Sequence, residues 1–304
     1  MTLPFQALSC PLDGSPLQRI DGCWRCASGH SFDIAAQGYT HLLPVQHKRS
    51  LDPGDSKAMI QARQRFLAAG HYKPIADAVS QTVLARRSPH APLHCLDAGC
   101  GEGFYLRALV GAACAQADER QREARTQADT IEPLSIVGVD ISKWAIVAAA
   151  RQDKQSTWLV ASNANLPIQS GSLDVVLCMF GFPVYAEFAR VLKPGGLLLQ
   201  VDAGPDHLRE LRSLIYPSLR PERTPSTVAP AGFRAHATEH VRAGLTLTRT
   251  DDIADLLVMT PHFYRASSEG RDRAAALTEL NTTIDVVLTT FTSEPNGTPS
   301  HERL

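Results

Sequence analysis

LHCLDAGCGEG, residues 93–103, is an apolar run that breaks abruptly into glycine. Gly99, Gly101 and Gly103 give the spacing D-x-G-x-G-x-G directly after a stretch that reads as a buried strand. Glycines here let the chain turn tightly and bring its backbone close to a ligand at the carboxyl edge of a parallel sheet. Further along, LSIVGVDIS (134–142), TWLVASNANLP (157–167), LDVVLCMF (173–180) and GGLLLQVDA (195–203) read as further strands. KWAIVAAARQ and PVYAEFARVL, which lie between them, carry helical patterning. Apolar strands alternating with helices predict an α/β fold, a Rossmann-like parallel sheet covered on both faces.

The acids around the turn narrow the ligand. Asp97 and Glu102 place two carboxylates beside the glycines, which would repel a pyrophosphate but suit a cationic amino-acid group and a sulfonium. Asp140 ends the second strand, where an acid accepts hydrogen bonds from ribose hydroxyls. In the third-strand loop Ser162 and Asn163 are candidates to orient an adenine edge, with ordinary turn chemistry as the equal alternative. This is the pattern of a class I S-adenosylmethionine-dependent methyltransferase, and KPGG (193–196) fits the turn into its fifth strand.

At 304 residues and 44% hydrophobic, the chain can build one large domain and a small module. Its net charge of −1 gives no general attraction to nucleic acid, so such binding needs a local basic patch. Cys95, Cys100, Cys114 and Cys178 sit in or beside apolar runs, as thiols of a reducing compartment do. With no run of 18 apolar residues and no leader-like N-terminus, a cytoplasmic protein without membrane contact is expected. The predicted organisation is a metal-binding module over 1–44, a basic loop and linking helices over 45–90, and a methyltransferase domain over 91–291. Polar insertions are expected at 115–133 and 220–239, and a disordered tail at 292–304. One helix is predicted to start at Asp55 or Ser56 and stop at Gly70, another to run from Pro74 to Arg87.

Residues 9–33, SCPLDGSPLQRIDGCWRCASGHSFD, set Cys10, Cys23, Cys26 and His30 among turn residues, as zinc ligands are set. Asp13 stands where a C-x2-C partner of Cys10 belongs. A module this small has too little core to fold alone, and a structural metal would supply the missing stability.

LLPVQHKRSLDPGDSKAMIQARQRFLAAGHY (42–72), the LDAGCGEG loop, AGPDHLRELRSLIY (203–216) and MTPHFYRA (259–266) together resemble the bacterial large-subunit rRNA guanine-N1-methyltransferases. The resemblance runs from about Cys10 to Phe291. It implies an N-terminal zinc module on a methyltransferase domain, S-adenosylmethionine as methyl donor and a 23S rRNA hairpin as substrate; the sequence leaves the oligomeric state open, with a homodimer as one candidate. It further implies cofactor contacts from Tyr72, Gly101, Glu102 and His207. The family's zinc ligands are a C-x2-C pair followed by a C-x3-H pair, so Cys10, Cys26 and His30 fill three positions. The fourth falls to Cys23, with Asp13 as the alternative and a metal-free module as the remaining reading. For RNA, His47, Lys48, Arg49 and Arg63 form the local basic patch, and Phe182 is an aromatic face for an extruded base. No residue stands out as the base that takes the guanine N1 proton. A small-molecule methyltransferase and a non-catalytic RNA-binding factor are the competing functions.

Overall fold

The computed structural model describes residues 2–44, 53–88, 91–123, 133–218 and 228–294. His47, Lys48 and Arg49 lie outside them, as do 295–304 of the expected tail, whose first two residues, 292 and 293, are strand and not disordered. Five short strands open the chain: β1 (Thr2–Pro4), β2 (Gln18–Ile20), β3 (Cys23–Arg25), β4 (Ser31–Asp33) and β5 (Tyr39–His41). Only β2, β3 and β4 form a sheet of their own. Helices α1 (Lys57–Ala68) and α2 (Lys73–Leu84) follow. Ser56 caps α1 by accepting a hydrogen bond from the Met59 amide at 3.3 Å, as its sequence predicts.

Next come β6 (Leu93–Ala98), α3 (Phe104–Glu123), β7 (Leu134–Asp140), α4 (Lys143–Gln152), β8 (Thr157–Val160), β9 (Leu173–Met179), α5 (Tyr185–Val191) and β10 (Leu192–Ala203). The chain closes with α6 (Arg209–Ile215), β11 (Phe233–Leu247), α7 (Thr250–Met259), α8 (His262–Arg265), α9 (Ser268–Ala275) and β12 (Leu280–Ser293). The main sheet runs β11-β12-β10-β9-β6-β7-β8-β5, with β1 also on β7. From β8 to β10 neighbours are parallel, and β12 is antiparallel to both β10 and β11. This order reverses direction at β6, whose two neighbours are β7 and β9, so a crevice opens beyond the carboxyl ends of β6 and β9.

Three sequence expectations are corrected. The polar stretch expected as an insertion over 115–133 starts as a continuation of α3 as far as Glu123, and 124–132 lie outside the described residues. Of the expected insertion over 220–239, 220–227 lie outside the described residues and 233–239 are the first half of strand β11, whose polarity reflects an edge strand with mostly exposed side chains. The second helix ends at Leu84, three residues before Arg87.

The opening module is also joined to the main sheet. β1 occupies one half of an edge of β7, pairing Thr2–Pro4 with Leu134–Ile136, and β8 occupies the other half, Val137–Asp140. β5 pairs with β8 through Tyr39–Trp158, Thr40–Leu159 and His41–Val160. Cys10, Trp24 and Cys26 share one hydrophobic cluster with Leu96, Val137 and Leu159 of the central strands.

Candidate active site and metal centre

The glycine turn is built as its spacing requires. Gly99 and Cys100 donate to the Val139 carbonyl at 2.8 and 3.0 Å, folding the chain back over the end of β7. Gly101 has φ +56°, a region costly to residues with a Cβ. Its amide donates to Asp140 Oδ2 at 2.9 Å, and Ser142 N donates to Oδ1 at 2.8 Å. Burial raises the Asp140 pKa, and those two amides oppose the shift.

Asp97 is fully buried, and neither carboxylate oxygen has a hydrogen-bond partner. Burial, reinforced by the charge of Asp140, pushes its pKa up to about 8. An orphaned buried carboxylate is costly, and a cationic ligand group would relieve it. Glu102 is 1% exposed; its Oε2 accepts from Arg107 at 2.6 Å and Gln152 at 2.8 Å, while Oε1 is unpartnered. The donor set therefore fits the positively charged end of S-adenosylmethionine.

Tyr72 and His207, far apart in sequence, meet at 3.2 Å between Oη and Nε2. The Asp285 amide donates to His207 Nδ1 at 3.2 Å. Burial, with help from His262 and Arg212, depresses the His207 pKa to about 4, so the ring is neutral. With Nδ1 accepting, the ring proton sits on Nε2 and points at Tyr72, whose own hydroxyl proton stays available for a ligand. Phe180, at φ +52° just past β9, stacks on His207 at 5.8 Å between centroids. Phe182 is 91% exposed.

The third-strand residues divide. A Cβ on Gly99 would lie 4.0 Å from the Asn163 amide nitrogen, so Asn163 borders the glycine turn. Ser162 Oγ accepts from the Ala164 amide at 3.2 Å, ordinary turn chemistry.

Arg63, expected on an RNA-facing patch, lies against the glycine turn, where a Cβ on Gly101 would sit 3.4 Å from its Nη1. Its Nη1 pairs with Asp55 Oδ2 at 2.6 Å and its Nη2 donates to the Met259 carbonyl at 3.1 Å. The signal was present in the sequence: Ile60, Arg63 and Leu67 share one helical face with the buried Phe66 beside it. Asp202, which no sequence motif marks, lies one residue beyond the Val201–Met179 pair. Burial raises its pKa, and Gln200, itself held by Tyr185, donates to its Oδ2 at 2.6 Å.

In the module, donor atoms of Cys10, Asp13, Cys26 and His30 lie within 4.8 Å of one another. Nδ1 of His30 is 3.5 Å from Cys10 Sγ, 3.4 Å from Cys26 Sγ and 3.2 Å from Asp13 Oδ2, and Cys26 Sγ is 3.6 Å from that oxygen. Tetrahedral zinc with bonds of about 2.0–2.3 Å needs donor separations of about 3.3–3.8 Å, so the set fits the ion. Cys23 is not in this group. Its thiol donates to the Ile20 carbonyl at 3.1 Å. Cys23 lies in strand β3, and three residues along an extended chain place its side chain on the opposite face from Cys26.

Residues 8–51 match the family model described as "RlmA, N-terminal", a zinc ribbon, and residues 96–200 match "Methyltransferase domain". The chain is 34% identical over 295 residues to "Putative 23S rRNA (guanine-N(1)-)-methyltransferase YxjB" of Bacillus subtilis, covering 94% of this chain and 96% of that protein. It is 32% identical over 205 residues to "23S rRNA (guanine(748)-N(1))-methyltransferase" of Streptomyces fradiae, covering 67% of this chain and 66% of that protein. The chain belongs to the family of bacterial 23S rRNA (guanine-N1)-methyltransferases, with a zinc ribbon ahead of a class I methyltransferase domain.

Proposed function

We propose that this chain transfers a methyl group from S-adenosylmethionine to N1 of a guanine in a hairpin loop of 23S ribosomal RNA. The supporting observation is that family similarity spans the zinc ribbon and the cofactor domain together, across 94% of the chain. The cofactor brings the electrophilic methyl; the protein aligns the nucleophile and keeps water out. Asp97, Gly99, Gly101, Glu102, Gly103 and Asp140 hold the cofactor at the turn. Asn163, Tyr72 and His207 complete its surroundings, and Ser162 supports them through its loop.

The guanine has to leave its stack, and Phe180 and Phe182 at the end of β9 offer planar faces for it. N1 carries a proton that an acceptor must take. Asp202 is the acid that the neighbouring strand offers at this lip, with a pKa already raised by burial. Cys10, Asp13, Cys26 and His30 hold a structural zinc, a closed four-ligand set with no open position for chemistry. Lys48 and Arg49, in the segment between ribbon and crevice, contact RNA phosphates. Its place of action is the cytoplasm, where the rRNA is; among the described residues no helix is long and apolar enough to cross a membrane.

The test uses purified protein, methyl-labelled S-adenosylmethionine and an unmodified 23S rRNA transcript. Labelled 1-methylguanosine in the digested RNA is the expected product. Cofactor binding without any label in RNA would overturn the proposal.

A further inference from the structure

Asp55, Asp97, Glu102 and Asp140 gather their carboxyl groups around the glycine turn. S-adenosylmethionine presents two cations and one carboxylate, so the acids serve its ammonium and sulfonium and leave the carboxylate needing donors. Arg63 is placed to supply them. A Cβ on Gly101 would lie 3.4 Å from Arg63 Nη1, so the guanidinium rests against the backbone of the glycine turn. Its side chain keeps 26% exposure. Asp55 and the Met259 carbonyl each take one N–H, one from each terminal nitrogen, which leaves a second N–H on both. The positive charge of Arg63 acts on the Tyr72 phenol and on Asp140. Arg107, the other cation at the turn, bonds the Glu102 carbonyl and carboxylate and lies against Gly103, not Gly101.

We infer that Arg63, with the Tyr72 hydroxyl, receives the carboxylate of the cofactor's amino-acid end. Arg63 is therefore a cofactor-binding residue and not part of the RNA-facing patch. The inference rests on S-adenosylmethionine being the cofactor. Asp55 and Met259 hold the fork in place, so α1 and the end of α7 position the methyl donor as well as packing on the domain.

The experiment is equilibrium titration of the full chain with S-adenosylmethionine and with its decarboxylated analogue, repeated for Arg63→Gln and Arg63→Lys. Wild type is expected to bind the decarboxylated analogue about 10- to 100-fold more weakly, the effect of losing a charge-assisted hydrogen bond. Arg63→Gln is expected to lose most of that discrimination, and Arg63→Lys to keep part of it. Asp55→Asn/Arg63→Gln removes both charges of the pair and keeps the test valid if the single variant does not fold. Equal discrimination in wild type and Arg63→Gln overturns the inference, as does no discrimination in wild type. Failure of wild type to bind S-adenosylmethionine at all overturns the cofactor assignment, and this inference with it.

Discussion

Asp97 and His207 respond to protons in opposite senses, and both responses follow from burial. The Asp97 pKa is raised to about 8, so its contribution to folding is full below its ordinary value near 3.8 and is lost as pH rises through 8. The His207 pKa is lowered to about 4, so its contribution is present above 6.5 and lost as pH falls toward 4. Near pH 8 Asp97 is the costlier group in the ligand-free protein. Asp97→Asn is expected to stabilise that form at pH 8 by on the order of a few kcal/mol, while weakening S-adenosylmethionine binding at least about tenfold. Thermal melts and titration calorimetry measure the two effects, and wild-type affinity in Asp97→Asn would show that the carboxylate does not face the cofactor's cations. A second residue-scale prediction concerns the metal. Cys23→Ser should retain a full complement of zinc, whereas Asp13→Ala should lose the metal more readily to a chelator. Loss of zinc from Cys23→Ser would sink the Asp13 assignment. Sequence spacing could not separate these residues, because C-x2-C reads alike in a turn and in a strand; only the pairing of β3 turns Cys23 away.

At the scale of elements, the alternation of apolar runs with helices located the five central parallel strands because each is buried on both faces. It did not show that β1 and β5 leave the module to extend the main sheet, since three-residue strands carry almost no periodic signal. Nor did it show the length of α3, whose last turns are polar in sequence. The close fit of β7, β8 and the glycine turn yields a sharper prediction. Trp158 of β8 lies over two glycines, and its Nε1 is fixed by the Asp153 carbonyl at 2.9 Å. A Cβ on Gly103 would fall 2.5 Å from Trp158 Cη2, and one on Gly138 would collide with the same ring and sit 2.9 Å from Cys100 Sγ. Gly138→Ala is expected to cost about 1–3 kcal/mol by overpacking. Adding Trp158→Leu should recover part of that cost, a non-additivity that denaturant titration of the two singles and the double would detect. Strict additivity would mean that the ring is not what the new methyl meets.

For the whole molecule, the question is whether the zinc ribbon is a hung ornament or part of one folding unit. Beyond the β1–β7 and β5–β8 pairings, the loop around Cys10 is tied to the segment after β8. Ser9 N donates to the Pro167 carbonyl at 3.0 Å, Gln169 N to the Ala7 carbonyl at 2.9 Å and Gln169 Nε2 to the Leu8 carbonyl at 3.0 Å. Phe5, Leu8 and Trp24 are buried in the cluster that holds Leu96 and Val176 of the central strands. The metal ligands Cys10 and Cys26 sit in that cluster too, so losing zinc would loosen a shared core rather than a separate one. Stripping zinc with a chelator is therefore expected to lower the melting temperature of the entire chain in a single transition. It should also weaken S-adenosylmethionine binding, because β8 and its loop carry Asn163 beside the glycine turn. An independent module would behave otherwise: chelation would remove a small early transition and leave both the main melt and the cofactor affinity unchanged. Calorimetric scans with and without zinc, each repeated with cofactor, distinguish the two. Since β1 pairs with the strand ending in Asp140 and β5 with its neighbour β8, one unfolding transition would mean that the zinc ribbon and the methyl donor are held in register by the same sheet.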